Sequence, residues 1–305
     1  MRILITGGTG FIGKSLINYW NNKHDIYIMG RNIAKLKKIF PRHHCLSWDK
    51  LTTLNPEDFN VLINLAGETI NHLFWTAAIK QKILQSRIES TAALVQWLNN
   101  KPQAHVHFLN ASALSIYGLY EKIPNVLKTE TAVIIQHNEF LSQVAFKWEE
   151  AASKLSHNSH LTILRFAVVL GPAGGALPKL KLAAHCGLAT KLGNGEQPFA
   201  WITIDDLMRA IDWLIDKKIT GPINMVAPII PTQDQFTHSL SQAISRPYLF
   251  ACPAWLLSLS LGQMAKEMLL KGQAAAPKAL LISGYHFLYS DLQKYVKSIL
   301  YETSR

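Results

Sequence analysis

The chain has 305 residues, of which 49% are hydrophobic and 17% charged, with a net charge of +11. That length and apolar content support one large α/β domain with a smaller appended part, or two domains, and exclude a largely disordered chain. The positive charge suits an anionic ligand, a nucleic acid or an acidic membrane surface, but it is diffuse, with one tight cluster at Lys35, Lys37 and Lys38 and no basic arm, so it reads as that of an ordinary basic soluble protein.

The first element is a short apolar strand, Arg2-Ile3-Leu4-Ile5, followed by the turn TGGTGFIG over residues 6–13. Residues 14–22 then space Leu16, Ile17 and Trp20 along one helix face. Strand, glycine turn and helix in that order suit a dinucleotide pyrophosphate. Gly7 permits a sharp turn, Gly10 lets backbone approach phosphate, and Gly13 lets the helix pack close to the sheet. The helix N-terminus adds free N–H groups and roughly half a unit of positive charge. The second strand, Ile26-Tyr27-Ile28-Met29, ends at Gly30-Arg31-Asn32. An NAD site places a carboxylate there for the ribose 2′-hydroxyl; Arg31 stands in its place and favours a 2′-phosphate, hence NADP(H).

A third strand, residues 61–65, closes on Ala66-Gly67, where small residues permit another close approach at the carboxyl end of the sheet. A long amphipathic helix over 77–98 buries Ile83, Ile88, Leu94, Val95 and Leu98, and its Lys82 and Arg87 are candidates for neutralising cofactor phosphates. In the next strand, 105–109, Val106 and Phe108 alternate with His105 and His107, which read as a solvated face with no metal ligand set nearby. It leads into Asn110-Ala111-Ser112-Ala113-Leu114-Ser115-Ile116-Tyr117-Gly118. A helix over 139–155 carries Phe140, Val144, Trp148 and Ala151 or Ala152 on one side, and 161–170 is a single strong strand containing Arg165.

After Pro172 the pattern changes. Gly174-Gly175-Ala176 is a loop, 178–185 a basic helix start, and 192–195 a turn. Residues 201–206 lead into a helix through Leu214, 223–226 is a late strand, and Thr232 caps a helix carrying Phe236, Leu240 and Ile244. The tail, 253–301, is mostly helical. Cys45, Cys186 and Cys252 are few and far apart, which suits a reducing compartment and offers no CxxC motif. The apolar start is broken by glycines, unlike a signal peptide, and the longest apolar run, 255–261, is too short to cross a bilayer. A cytoplasmic protein is expected, without membrane or nucleic-acid partners.

In this order TGGTGFIG, Asn64-Leu65-Ala66-Gly67, the Ser112 to Gly118 pattern and LRFAVVLGP at 164–172 resemble the extended short-chain dehydrogenase/reductase superfamily. More narrowly, NLAGE, Ser86-Arg87-Ile88, Trp148-Glu149 before Ala151-Ala152, VLGPxGGAL, WIxIDDL, GPIN with AP, Arg246-Pro247 and LLxGQ resemble the NAD-dependent epimerase/dehydratase-like branch of epimerase family proteins, sometimes labelled cell-division inhibitors, with its C-terminal domain of unknown function. The resemblance spans essentially the whole chain. It implies a Rossmann-type doubly wound parallel sheet over 1–171, with 201–213 and 221–228 packing back onto it, and a smaller, mostly helical substrate domain over 172–305. It also implies a homodimer through helices 77–98 and 139–155. The cofactor-binding candidates are Gly7, Thr9, Gly10, Phe11, Ile12, Gly13, Arg31, Leu65, Ala66, Gly67, Lys82, Arg87, Ala111, Ser112 and Val168.

The superfamily's Tyr-x-x-x-Lys acid/base pair is missing. Alignment on Glu149 puts Leu141 at the Tyr and Ala145 at the Lys, and the Tyr19–Lys23 match lies on the wrong element. The usual upstream hydroxyl falls on Ala113, one residue after Ser112, and Thr203 stands where the branch usually has His. Ser112 and Tyr117 are left as weak catalytic candidates, with Ser115 or a water as further proton relays. Two functions stay open: an NADP(H)-dependent oxidoreductase, epimerase- or dehydratase-like, acting on a small polar or nucleotide-linked substrate, or a non-catalytic NADP(H) sensor that contacts a partner.

Overall fold

A computed structural model describes residues 1–101, 103–156, 160–248 and 251–296. The chain opens with β1 (Arg2–Thr6), α1 (Phe11–Tyr19), β2 (Asp25–Gly30), α2 (Ile33–Ile39) and β3 (His44–Ser47). There follow β4 (Val61–Asn64), α3 (Ala77–Asn99), β5 (His107–Ala113), α4 (Phe140–Ala152) and β6 (His160–Phe166). Helix α1 starts three residues earlier than periodicity suggests and stops at Tyr19; α2 and β3, whose apolar runs are short, carried no sequence expectation. Seven parallel strands make the main sheet in the order β3-β2-β1-β4-β5-β6, continued beyond β6 by β11 (Gly221–Met225). This is a doubly wound α/β sheet of Rossmann type, and its strand order reverses between β1 and β4. The interior strands are covered on both faces: Ile3, Leu4, Ile5, Leu62 and Ile63 are fully buried.

The expected single strand over 161–170 is two strands. After β6 the backbone leaves the main sheet at Ala167, and β7 (Val168–Gly171) pairs instead with β10 (Trp201–Thr203) and with β8 (Gly174–Gly175). An unbroken apolar run contains no signal for this change of partner. Between these strands lie α5 (Leu177–His185) and β9 (Lys191–Leu192). Helix α6 (Ile204–Asp216) follows β10 and returns to the first half, where the Trp20 indole donates to Asp212 at 2.9 Å.

Helix α7 (Gln233–Ala243) starts with a complete capping box: Thr232 accepts from the Gln235 amide, and the Gln235 side chain accepts from the Thr232 amide. Beyond it come β12 (Ala251–Cys252), which pairs with β9, then α8 (Ala254–Leu261), α9 (Gln263–Met268) and α10 (Lys278–Ile282). Residues 269–277 and 283–290 of the tail are not helical, because they serve as straps: Gly272 bridges to Tyr120 and Ala275 to Lys128. Residues 297–301 of the expected helical tail lie outside the described residues. No helix among the described residues is long and apolar enough to cross a membrane.

Candidate functional site

At the point where the strand order reverses, the β1–α1 turn and the exit of β4 lie back to back. Gly7 has φ +70°, and a Cβ there would run into the Leu65 carbonyl and the Ala66 amide. A Cβ on Gly13 would strike the Gly7 carbonyl and Gly8, so α1 can lie this close to the turn because position 13 has no side chain. Gly10 is the N-cap of α1, is exposed, and offers no capping side chain. The first amides of α1, beginning with Phe11 and Ile12, therefore have no side chain across them, with half-buried Thr9 beside them. An uncapped helix start behind glycine-lined backbone could hold the pyrophosphate of a dinucleotide. The Phe11 ring points the other way and is wrapped by Gly171, Gly174 and Gly175, at each of which a Cβ would collide with it. The glycines of the VLGPxGGAL segment thus make room for a packed aromatic ring.

Arg31 follows β2 with its side chain 84% exposed, and one guanidinium nitrogen is 3.8 Å from the Glu68 carboxylate. That distance is beyond a hydrogen bond, so the donors stay available to an anion. Gly67 is exposed, and Leu65 and Ala66 are half-buried.

The two basic residues of α3 part company. Lys82 is solvent-exposed, whereas Arg87 is turned inward and used by the protein itself. Arg87 Nη1 donates to the Glu68 carbonyl at 3.0 Å and to the Ile83 carbonyl at 2.8 Å, and its guanidinium lies 5.0 Å from the centre of the Trp148 ring. Burial pushes its pKa down to about 10, which keeps it charged at neutral pH. Through Nη1, Arg87 acts as a strut for the loop after β4, a role that the expectation of a cofactor-phosphate ligand did not include. The Glu68 amide donates to Ser86 Oγ at 2.9 Å. The Ser86-Arg87 pair therefore holds both backbone polar groups of Glu68.

Ser112 and Tyr117, the weak catalytic candidates, are both buried, at 2% and 4% exposure. Ser112 Oγ donates to Glu149 Oε1 at 2.6 Å. The Glu149 carboxylate also takes Arg165 Nε at 2.9 Å and Nη2 at 2.8 Å, a two-point ion pair. Arg165 Nη1 donates to the Tyr117 hydroxyl at 2.5 Å, and that hydroxyl donates to Asn224 Oδ1 at 3.0 Å. Burial, outweighing the neighbouring Arg165, raises the Tyr117 pKa and keeps it a neutral phenol. Both hydroxyls are engaged in one closed network, which argues against either as a freely poised acid. Ala111 is buried beside them, and Val168 is half-buried at the start of β7. Arg165 was noticed in the sequence only as a strand residue; a charge inside a run as apolar as LTILRFAVVL was the available signal for a buried pair.

Leu141, which the family resemblance sets at the Tyr position, lies in the first turn of α4, and Ala145 is packed with Leu114, Tyr117, Ala167 and Ala275. Helix α4 lacks a capping side chain on Glu139. Glu267 of α9 supplies one from the far end of the sequence, its two oxygens accepting from the Phe140 and Leu141 amides at 3.0 and 2.9 Å. Beside it opens a cavity of about 660 Å³, lined by Asn138, Glu139, Asn194, Lys266, Glu267 and Lys271 among others, in which Lys271 reaches Glu139 at 3.1 Å. A cavity of this size, with charged side chains set in a largely apolar lining, could take a small substrate. The sequence reading did not single out Glu267 or Lys271, because their partners are more than a hundred residues away.

Comparison with known proteins adds to this geometry. The model of the NAD dependent epimerase/dehydratase family matches residues 3–226, and a domain of unknown function matches residues 252–299. Curated relatives include an epimerase family protein of Staphylococcus haemolyticus, 35% identical over 96% of each chain, and one of Staphylococcus aureus, 34% identical over 99% of each. Among solved structures, human epimerase family protein SDR39U1 (isoform2) with NADPH is 28% identical and superposes with a TM-score of 0.88 over 99% of both chains. A Thermus thermophilus UDP-glucose 4-epimerase complex with NAD, at 13% identity and TM-score 0.76 over the whole of both chains, shares the fold.

Proposed function

The chain belongs to the NAD dependent epimerase/dehydratase family, and from that membership we propose that it is an NADP(H)-dependent oxidoreductase, epimerase- or dehydratase-like, for a small polar or nucleotide-linked substrate. The observation that carries the cofactor half is the pairing of an uncapped, glycine-lined start of α1 with the exposed Arg31 at the end of β2. In this reading Gly7, Thr9, Gly10, Phe11, Ile12 and Gly13 lie along the pyrophosphate, and Leu65, Ala66 and Gly67 face the ribose side. Arg31 takes the 2′-phosphate through charge-assisted hydrogen bonds. The relative solved with NADPH supports the same choice of cofactor.

A nicotinamide cofactor supplies hydride chemistry; the protein's part is binding, orientation and control of protons. Here the tyrosine acid is replaced by Leu141, and Glu149 and Arg165 hold Ser112 and Tyr117 in a closed network. These two residues act as positioning groups under the nicotinamide side of the site. In this reading a water supplies the proton.

The engagement of both hydroxyls favours a second reading, a non-catalytic NADP(H) sensor. Titration with NADPH and NADH, followed by turnover of NADPH against aldehydes, ketones, quinones and nucleotide sugars, separates the two. NADPH is expected to bind more tightly, and Arg31→Asp to weaken NADPH by roughly tenfold to a hundredfold with little effect on NADH. Equal binding of NADH would remove the role given to Arg31. Saturable NADPH binding with no turnover across the panel would favour the sensor.

A further inference from the structure

The loop after β4 invests unusually in one carboxylate. Glu68 has its amide held by Ser86 and its carbonyl by Arg87, and Arg87 is itself fixed against Trp148 and the Ile83 carbonyl. Three residues of α3 and one of α4 thus fix the backbone from which the Glu68 side chain projects. One carboxylate oxygen is 3.8 Å from the Arg31 guanidinium, and the other is 3.7 Å from His72 Nε2. Glu68 is partly buried, with 29% of its side chain exposed, so its charge is less screened than that of a surface glutamate. A group that Arg31 holds through this nitrogen lies within a few ångström of the carboxylate.

We propose that Glu68 is a specificity-determining residue of the cofactor site, opposing Arg31 and moderating the preference for a phosphorylated over an unphosphorylated adenosine ribose. The inference rests on the NADP(H) reading given above. A 2′-phosphate drawn to Arg31 meets the negative charge of Glu68 close beside the guanidinium. A ribose bearing a free 2′-hydroxyl meets the same carboxylate as a hydrogen-bond acceptor, the group that NAD sites usually provide at the end of the second strand. Both effects act in the same direction, lowering the ratio of NADPH to NADH affinity below what Arg31 alone would set. The Ser86-Arg87 clamp keeps the opposing charge in place whether or not a cofactor is bound.

The test is titration of the full chain with NADPH and NADH, by fluorescence or calorimetry, for the unaltered protein, Glu68→Gln and Glu68→Asp. Gln keeps the shape and the backbone bonds and removes the charge, so the NADPH-to-NADH affinity ratio is expected to rise about fivefold or more, given the strength of unit-charge interactions a few ångström apart near a surface. Asp keeps the charge, so its ratio should stay closer to that of the unaltered protein, and matching thermal midpoints would establish that all three are folded. A ratio in Glu68→Gln that is unchanged or lower would overturn the inference while leaving the NADP(H) reading intact. Failure of the unaltered protein to bind either cofactor would overturn that reading and this inference with it.

Discussion

Arg165 and His107 sit on neighbouring strands of the same apolar sheet and keep their polarity in opposite ways. Arg165 stays charged: burial works against its charge, but the two-point pairing with Glu149 outweighs that and holds its pKa above the ordinary arginine value. His107 stays neutral. The sequence alternation suggested that it faces solvent, but it is only 7% exposed, because β5 is an interior strand paired on both sides. Thr162 Oγ1 already donates its proton to the Ile219 carbonyl, so His107 Nε2 must be the donor in its 2.7 Å contact with that oxygen. Desolvation, helped by His160, pushes the His107 pKa down to about 4. The unfolded chain takes up this proton near pH 6.5 and the folded chain does not until about pH 4. Stability from this residue is therefore complete above pH 6.5 and is lost as pH falls through that window, by about 3 kcal/mol in all. Urea unfolding at pH 7 and pH 4.5 should show a smaller acid loss in His107→Gln than in the unaltered protein. Equal losses would mean that His107 is not the group that resists protonation.

At the scale of elements, α4 shows how a helix near the site depends on a distant part of the chain. Its own N-cap, Glu139, makes no capping hydrogen bond, and the first two helical amides are satisfied by Glu267. Glu267 is 6% exposed and also accepts from Gln263 Nε2 at 2.7 Å. A carboxylate at a helix start is favoured by the helix dipole as well as by these bonds. Glu267→Ala leaves two half-buried amides without their carboxylate partner and should cost about 2 kcal/mol. Differential scanning calorimetry should record a fall in Tm of several degrees, whereas an unchanged Tm would show that solvent or another side chain replaces the cap. The outward residues of α3 and α4, including Gln81, Lys82, Gln85, Glu89, Lys147 and Glu150, are exposed and polar.

At the scale of the whole molecule, the later half of the chain is woven into the earlier half. β11 is the seventh strand of the main sheet, and β10 extends β7. Asp206, 1% exposed at the start of α6, accepts from the Leu288 amide at 2.7 Å, the Tyr289 amide at 3.0 Å and the Tyr285 hydroxyl at 3.1 Å, tying the tail to α6. A fragment beginning after Gly171 would carry β11 without its partner β6 and should not persist as a folded unit. Limited proteolysis is expected to yield nicked but associated chains; a stable C-terminal fragment purified alone would contradict this interleaving.

The sequence by itself determined the elements whose information is local. The period of apolar residues marks α1, α3 and α4, and the glycines of TGGTGFIG specify a turn before a helix. The end of β2 announces its cation with a single residue, Arg31. It also determined the family, because NLAGE, SRI and WIxIDDL occur in order. What only the tertiary structure decided depends on pairs of residues with no fixed spacing. The sequence does not show that Arg87 Nη1 lies on two carbonyls, or that Ser112 and Tyr117 are joined to Glu149 and Arg165. The break between β6 and β7 was invisible because both sheets reward the same apolar residues, and the difference lies in which strand is adjacent. Local pattern reports which face of an element is buried, while the role of a buried polar group is set by the partner that satisfies it, and that partner is chosen by the fold.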